Sequence, residues 1–365
     1  MQPFVIMCGM RRRHLYAAAI SVVLTAGLIV GAQLTASAGE TPKALPVNQV
    51  TVAEYDLGDQ AFKDTQSGTV SELRAVVHYP AHPAGKLPVI IQSHGSWWAC
   101  TDGDAQAWPC DKGTPYPSYR GYDYLGQTLA EHGFVVVSIS ADGINMTSFD
   151  YGDRARLMNK HLQLLRDLSN GSGPLVRKLG VLTGHLNLQD VGTMGHSRGG
   201  KGAMWEASDK HAAEVPAGVR LRAVLALAPV KFDDPEGDNS DTLVTRIPVG
   251  VVTGTCDGAV GEKGQEYLDD ATGKTHQPAY SISLKNANHN YYNTAWTPPA
   301  SLGEDDSTCP AQELTPAVQK SALVTYAVAF YERFLHADRS YEKVLTGQQK
   351  IAGVTSATRV VQPVR

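Results

Sequence analysis

The sequence lacks an internal repeat and has little charge for its length. Its 35 Gly and 20 Pro follow no fixed period, which excludes collagen and solenoid architectures. Charged residues make up 19% of the 365 residues and apolar residues 42%, a composition typical of chains that bury a large core. Intrinsic disorder is therefore excluded, and the length fits one large domain or two.

Basic runs are also absent after the first few residues. No three consecutive Lys or Arg residues follow Arg13, and the formal net charge is −4. Proteins that bind nucleic acid usually carry a basic patch or stripe that neutralises phosphates. The sequence therefore predicts that nucleic acid is not a partner.

The first 38 residues have the pattern of an export signal. Three arginines, Arg11 to Arg13, precede an apolar run at 15–30 and the small residues Ala36, Ser37 and Ala38. We expect cleavage before Gly39 and secretion of the mature chain. A membrane anchor is the alternative, but the run is shorter than the roughly 20 apolar residues that a span needs. No stable membrane anchor is expected.

Cysteine is scarce, with five residues in all, and Cys8 would leave with the signal. An even set of cysteines outside the reducing cytosol predicts two disulfides. Of the three possible connectivities we favour Cys100 with Cys110 and Cys256 with Cys309, because each pair would fasten a polar segment. Zinc binding is the rival interpretation, but no CxxC pair supports it.

Short apolar runs alternate with segments of helical spacing, which predicts an α/β fold with a mostly parallel central sheet flanked by helices. The predicted buried strands are residues 74–79, 87–92, 134–140, 191–194, 221–229, 248–253 and 280–284. Helical spacing is clearest in two sets, Met158, Leu162, Leu165 and Leu168, and then Leu323, Ala327, Phe330 and Phe334.

No linker divides the mature chain, so residues 39–340 are expected to form a single domain. Residues 49–57 alternate like an antiparallel edge strand. Residues 341–365 show no clear period and are expected to form a loosely docked C-terminal tail. The connection between the strands at 221–229 and 248–253 is short and polar, so no large lid domain is expected.

A nucleophile turn is the strongest local signal. Gly195, His196, Ser197, Arg198 and Gly199 form GxSxG between a predicted strand and a predicted helix at 200–208. Such a turn presents the serine hydroxyl to a cleft, so Ser197 is the candidate nucleophile. A phosphate loop is the rival motif in the same segment, but Gly202 stands where that motif needs Ser or Thr to bind magnesium.

Serine needs a base, and the base needs an acid that orients it. His289 follows the last predicted buried strand, and Asp257 follows the strand before it. The chain order is then Ser, Asp, His, which is typical of α/β-hydrolases. Asp233 and Asp234 are the alternative acids. This chemistry needs no cofactor or metal, and the acidic residues around 233–241 lack the spacing of a calcium loop.

The oxyanion of a tetrahedral intermediate needs two backbone donors. One is expected to be the amide of Arg198, which follows the nucleophile. The other is expected from the loop after residues 87–92, from the amide of Ser96 with Gly95 as its neighbour. Trp97 and Trp98 come next in that loop and Tyr291 follows the candidate base, so these rings are candidates for substrate binding.

These motifs together resemble the α/β-hydrolase superfamily, in particular secreted bacterial serine esterases related to the cutinase-like polyester hydrolases and the platelet-activating-factor acetylhydrolase type. The resemblance spans about residues 49–337. It implies hydrolysis of carboxylic esters through an acyl-enzyme, with Ser197 as nucleophile, His289 as base and then acid, and Asp257 as its orienting acid. The short connection without a lid predicts an open site, which suits small-molecule and polymeric esters alike. A peptidase or acyltransferase of the same fold and a non-catalytic binding protein remain alternatives. A monomer is expected.

Overall fold

The computed structural model describes residues 49–147, 151–231, 238–297, 308–309 and 312–364. The predicted export signal, with Cys8 and the cleavage site before Gly39, lies outside these residues. So do Asp233 and Asp234, which belong to the short connection where no lid was expected.

A nine-stranded sheet forms the centre of the described chain. Its strands, numbered β1 to β9 along the chain, are Val50–Asp56, Arg74–Pro80, Leu87–Ser93, Val135–Ile139, Leu186–His196, Leu221–Leu227, Val249–Gly254, Ala279–Leu284 and Ser356–Val361. The spatial order is β1-β2-β4-β3-β5-β6-β7-β8-β9. Neighbouring strands from β4 through β8 in this order pair in parallel, while β1, β2 and β9 pair antiparallel. The predicted mostly parallel α/β architecture is confirmed.

Helices cover both faces of the sheet because the inner strands are apolar on both sides. The α-helices, α1 to α8, are Asp123–Glu131, Asp142–Thr147, Tyr151–Ser169, Val176–Leu179, Arg198–Ala207, Glu266–Ala271, Pro316–Leu335 and Glu342–Leu345. One buried cluster joins α3, α5 and α6 to the sheet, and a second joins α1, α7 and α8 to it. Adjacent strand residues such as Ile90 and Ile91 divide between the two clusters.

Shorter elements complete the connections. Two small antiparallel ribbons pair Phe62–Lys63 with Val70–Ser71 and Cys100–Asp102 with Lys112–Pro115. The 3-10 turns are Ser118–Tyr122, Gly180–Leu182, Ala212–Glu214, Ser240–Thr242, Lys263–Gln265, Asn290–Tyr292 and Arg339–Tyr341. Within the described ranges, no helix combines the length and the apolar character that crossing a bilayer requires.

Both favoured disulfides are present. Cys100 and Cys110 are bonded with their Cα atoms 5.6 Å apart, and Cys256 and Cys309 with theirs 5.4 Å apart. The first bond spans ten positions of chain beside the ribbon that follows β3, and the second spans 53. The predicted connectivity is confirmed.

The prediction for one edge of the sheet is confirmed, and the prediction for the other edge is wrong in part. The antiparallel edge strand expected at 49–57 is β1, which pairs with β2. The expectation of a loosely docked tail at 341–365 is wrong for Ser356–Val361, which forms β9 and pairs with β8 over its whole length. Because β9 is an edge strand with partly exposed residues, its sequence carries little of the apolar signal that marks an inner strand.

Candidate active site

Ser197 occupies a sharp turn between β5 and α5. Its backbone has φ 58° and ψ −122°, a conformation that costs a non-glycine residue free energy. The flanking glycines make the turn possible: a Cβ at Gly195 would lie 1.9 Å from the carbonyl oxygen of Gly199. The Ser197 amide donates to the Leu227 carbonyl at 2.9 Å, which ties the turn to β6. The strand, turn and helix predicted around GxSxG are all present.

Asp257 and His289 form a buried pair at the same end of the sheet. Asp257 follows β7 and His289 follows β8, and His289 Nδ1 lies 2.8 Å from Asp257 Oδ2. The amides of Ala259, Val260 and Gly261 donate to Asp257 Oδ1 at 2.9, 2.8 and 3.3 Å. Because a carboxylate oxygen accepts, Nδ1 of His289 donates to Oδ2, and Nε2 is the nitrogen that can accept another proton.

The carboxyl ends of parallel strands β5, β7 and β8 bring these three residues to one edge of the sheet. The imidazole of His196, next to the nucleophile, lies with its ring centroid 4.7 Å from that of His289. Among the described residues Ser197 Oγ and His289 Nε2 form no hydrogen bond. Catalytic hydrogen bonds are often long without substrate and tighten in the complex.

The predicted oxyanion donors lie beside the nucleophile. A Cβ at Gly95 would be 2.6 Å from Ser197 Cβ, so the loop after β3 contacts the nucleophile turn directly. Arg198 is the first residue of α5, where backbone amides are not used within the helix. In the described chain the amide of Ser96 donates to no protein acceptor.

An aromatic stack forms one wall of this region and includes a residue that sequence reasoning missed. The ring of Trp296 stacks on His196 at 5.2 Å and on Trp97 at 5.2 Å. Trp296 is buried and its Nε1 donates to Ser118 Oγ at 3.0 Å. The only sequence signal for Trp296 was its position seven residues after His289. Trp97 therefore belongs to a fixed stack beside the nucleophile turn.

The other two predicted substrate-binding rings have different surroundings. Trp98 is 42% exposed, which makes it one of the few large apolar side chains on the surface of the described chain. The hydroxyl of Tyr291 donates to Glu313 Oε2 at 3.0 Å. A substrate contact for either ring stays a prediction.

Two further histidines at the site are buried and uncharged. Burial lowers the pKa of His94 to about 3, helped by the nearby charge of Arg154. Burial, with the neighbouring His289, also lowers the pKa of His196 well below its ordinary value. The Tyr122 hydroxyl lies 2.8 Å from His196 Nδ1. Both rings act in packing and hydrogen bonding.

No family assignment accompanies this geometry. Comparison of the sequence with protein-family models found no match, and a search of curated proteins found none either. Within the described residues, no group of three or more His, Cys, Asp or Glu side chains could hold a metal ion. Function is therefore inferred from the residues of the site themselves.

Proposed function

We propose that this chain is a secreted serine hydrolase of the α/β-hydrolase type that cleaves carboxylic esters through an acyl-enzyme. One observation carries the proposal: Ser197, in its strained turn, lies at the same sheet edge as the hydrogen-bonded pair of His289 and Asp257. The backbone of Ser197, at φ 58°, costs free energy to maintain, and a binding surface has no need of such a strained turn. The two disulfides fit an exported protein.

The fold supplies further support. The nucleophile follows β5, the acid follows β7 and the base follows β8, which is the chain order Ser, Asp, His of α/β-hydrolases. In those enzymes one oxyanion donor follows the nucleophile and the other lies in the loop after the third strand. Arg198 and the segment with Gly95 and Ser96 occupy these two positions.

In the proposed reaction Ser197 Oγ attacks the ester carbonyl carbon while His289 Nε2 takes the hydroxyl proton. Asp257 stabilises the resulting imidazolium, and the amides of Arg198 and Ser96 donate to the negative oxygen. The C–O bond to the alcohol then breaks and His289 returns the proton to the leaving oxygen. Water repeats the sequence on the acyl-enzyme, which releases the acid and restores the Ser197 hydroxyl.

Purified wild-type protein and Ser197→Ala should be incubated with p-nitrophenyl acetate and butyrate and, separately, with a fluorophosphonate probe. We expect hydrolysis and stoichiometric labelling of the wild type and neither in Ser197→Ala. Ser340→Ala, which changes an exposed serine, is the matched control and should behave as the wild type. A wild type that neither hydrolyses ester nor takes the label would overturn the proposal. Hydrolysis that persists in Ser197→Ala would exclude this nucleophile.

A further inference from the structure

Buried side chains hold two consecutive carbonyl groups of the loop after β3. Arg154, on α3, donates from Nη1 to the carbonyl oxygen of His94 at 3.2 Å. Asn145, on α2, donates from Nδ2 to the carbonyl oxygen of Gly95 at 3.0 Å. Arg154 also donates from Nη2 to Asn145 Oδ1, so the two side chains form one connected unit.

His94 reinforces the same arrangement from within the loop. Its Nδ1 lies 2.7 Å from the carbonyl oxygen of Gly95, and its Nε2 accepts the Ala141 amide at 2.9 Å. Because Nε2 is an acceptor and the ring is uncharged, Nδ1 carries the proton and donates it. The Gly95 carbonyl thus accepts two hydrogen bonds, both from the protein interior.

Because the peptide unit is planar, a hydrogen bond that fixes a carbonyl group also fixes the direction of the N–H group in the same unit. In a trans peptide the C=O and N–H groups point in opposite directions. Fixing the carbonyl of His94 orients the amide of Gly95, and fixing the carbonyl of Gly95 orients the amide of Ser96. These amides therefore face away from Arg154 and Asn145, in a loop that contacts the Ser197 turn.

Burial restricts the motion of Arg154 and Asn145 and strengthens the electrostatic effect of the guanidinium on the loop. Arg154 is 2% exposed and Asn145 5% exposed, and a Cβ at Gly202 of α5 would lie 2.8 Å from Arg154 Cβ. Burial, then the charge of Arg198, lowers the pKa of Arg154 to about 10, so its guanidinium is still protonated at neutral pH. A cation at the carbonyl side polarises the peptide and strengthens its N–H group as a donor.

We propose that Arg154 and Asn145 are positioning residues: by holding the carbonyl groups of His94 and Gly95, they set the orientation of the oxyanion-binding amide of Ser96 and of the neighbouring amide of Gly95. Neither side chain needs to touch substrate. This inference rests on the proposed esterase function and adds a specific role for a buried cation that sequence reasoning did not single out.

The test compares p-nitrophenyl acetate with its thiono analogue, in which sulfur replaces the carbonyl oxygen. Sulfur is a poor hydrogen-bond acceptor, so the thionoester depends little on oxyanion donors. For Asn145→Ala we expect kcat for the oxoester to fall on the order of 10- to 100-fold, with KM within about threefold of the wild type. The kcat for the thionoester should fall much less. Arg154→Lys keeps the charge but has fewer donors. It should lower the ratio of oxoester kcat to thionoester kcat by an intermediate amount.

Asn159→Ala is the matched control, since Asn159 is a similarly buried asparagine of α3, at 7% exposure, outside the loop contacts. It should leave the oxoester to thionoester ratio at the wild-type value. Equal losses with both esters, or wild-type kinetics in Asn145→Ala, would overturn the inference. If Asn145→Ala fails to fold, Asn145→Asp, which has the same shape without the donor, makes the same comparison. A wild type inactive on both esters would instead defeat the proposed function.

Discussion

The imidazole of His196 lies against that of His289, with ring centroids 4.7 Å apart and planes inclined by 37°. Burial and the neighbouring His289 lower the pKa of His196, so this ring is neutral near pH 7. A proton taken up by His289 during the proposed reaction would therefore meet a neutral ring on this side and the Asp257 carboxylate on the other. The Asp257 carboxylate is thus placed to stabilise the imidazolium that forms on His289 during the proposed reaction.

The hydroxyl of Tyr122 lies 2.8 Å from Nδ1 of His196, and a phenol can donate its proton to this nitrogen of the neutral ring. Tyr122→Phe would leave that buried nitrogen without a donor. We expect the free energy of unfolding to fall by about 1 to 2 kcal/mol, measured by urea denaturation. The kcat for ester hydrolysis should also fall, because the ring that packs against His289 is less firmly held.

Tyr326→Phe is the control, because the Tyr326 hydroxyl is buried without a hydrogen-bond partner in the described chain. Its removal should leave stability unchanged or raise it slightly. Equal losses of stability in the two variants would mean that the hydrogen bond to His196 contributes nothing measurable.

Asp257→Asn should separate orientation of the base from its position. The amide can keep part of the hydrogen bonding to residues 259–261, but it cannot stabilise the imidazolium and can favour the wrong tautomer of His289. We expect kcat to fall by about 1,000- to 10,000-fold with little change in KM. Asp269→Asn, which breaks an exposed ion pair with Arg359, should retain wild-type kcat. A loss below about tenfold in Asp257→Asn would exclude Asp257 as the orienting acid.

The inner strands were predictable because burial on both faces leaves short apolar runs, as in β3 and β7. The beginning of β5 was not predicted, since it contains Asn187, Gln189 and Asp190 before the apolar part. In this part of β5 the register with β3 shifts between Pro88 and Val89, and the polar side chains lack the apolar pattern of a buried strand. Edge strand β9 was missed for a related reason: its residues alternate between half-buried and exposed, and only Val361 is buried.

The candidate site divides in the same way. Ser197, Asp257 and His289 could be proposed because each comes a few residues after a predicted strand, and parallel strands end at one edge of the sheet. Arg154, Asn145 and Trp296 could not, because their contacts depend on which helices and loops the folded chain brings together. Arg154 and His94, for example, are 60 positions apart, and no local pattern links them.

The disulfide between Cys256 and Cys309 is expected to contribute more to stability and to kcat than the one between Cys100 and Cys110. Cys256 precedes Asp257, and its amide donates to the Ala287 carbonyl at 3.0 Å, which joins the acid loop to the base loop. With a separation of 53 positions against 10, chain entropy predicts a loss of about 4 kcal/mol against about 3.

We therefore expect the double variant Cys256→Ser with Cys309→Ser to lose more stability and more kcat than Cys100→Ser with Cys110→Ser. Urea unfolding and ester hydrolysis of both double variants give the comparison. A larger loss of kcat in Cys100→Ser with Cys110→Ser would show that catalysis depends more on the disulfide of the ribbon after β3 than on the disulfide of the Asp257 loop.

Glu206, near the end of α5, should make the stability of the protein depend on pH in an unusual direction. Burial raises the pKa of its carboxyl to about 8, against the opposing effect of the Thr193 hydroxyl that donates to it. Because the folded pKa lies above the unfolded one, the folded state holds a proton that the unfolded state releases. Stability from this group is therefore complete below about pH 4 and is lost as pH rises toward 8.

Glu206→Gln keeps the shape of the side chain and removes its titration. Between about pH 4 and pH 8 the variant should become progressively more stable than the wild type, with a gap on the order of 4 kcal/mol at pH 8. Urea unfolding at half-unit pH intervals measures the gap. Gln348→Ala, at an exposed residue, is the control: neither side chain titrates, so its gap should stay constant over the same range. A constant gap for Glu206→Gln would mean that this buried carboxyl ionises in the folded protein as easily as in the unfolded chain.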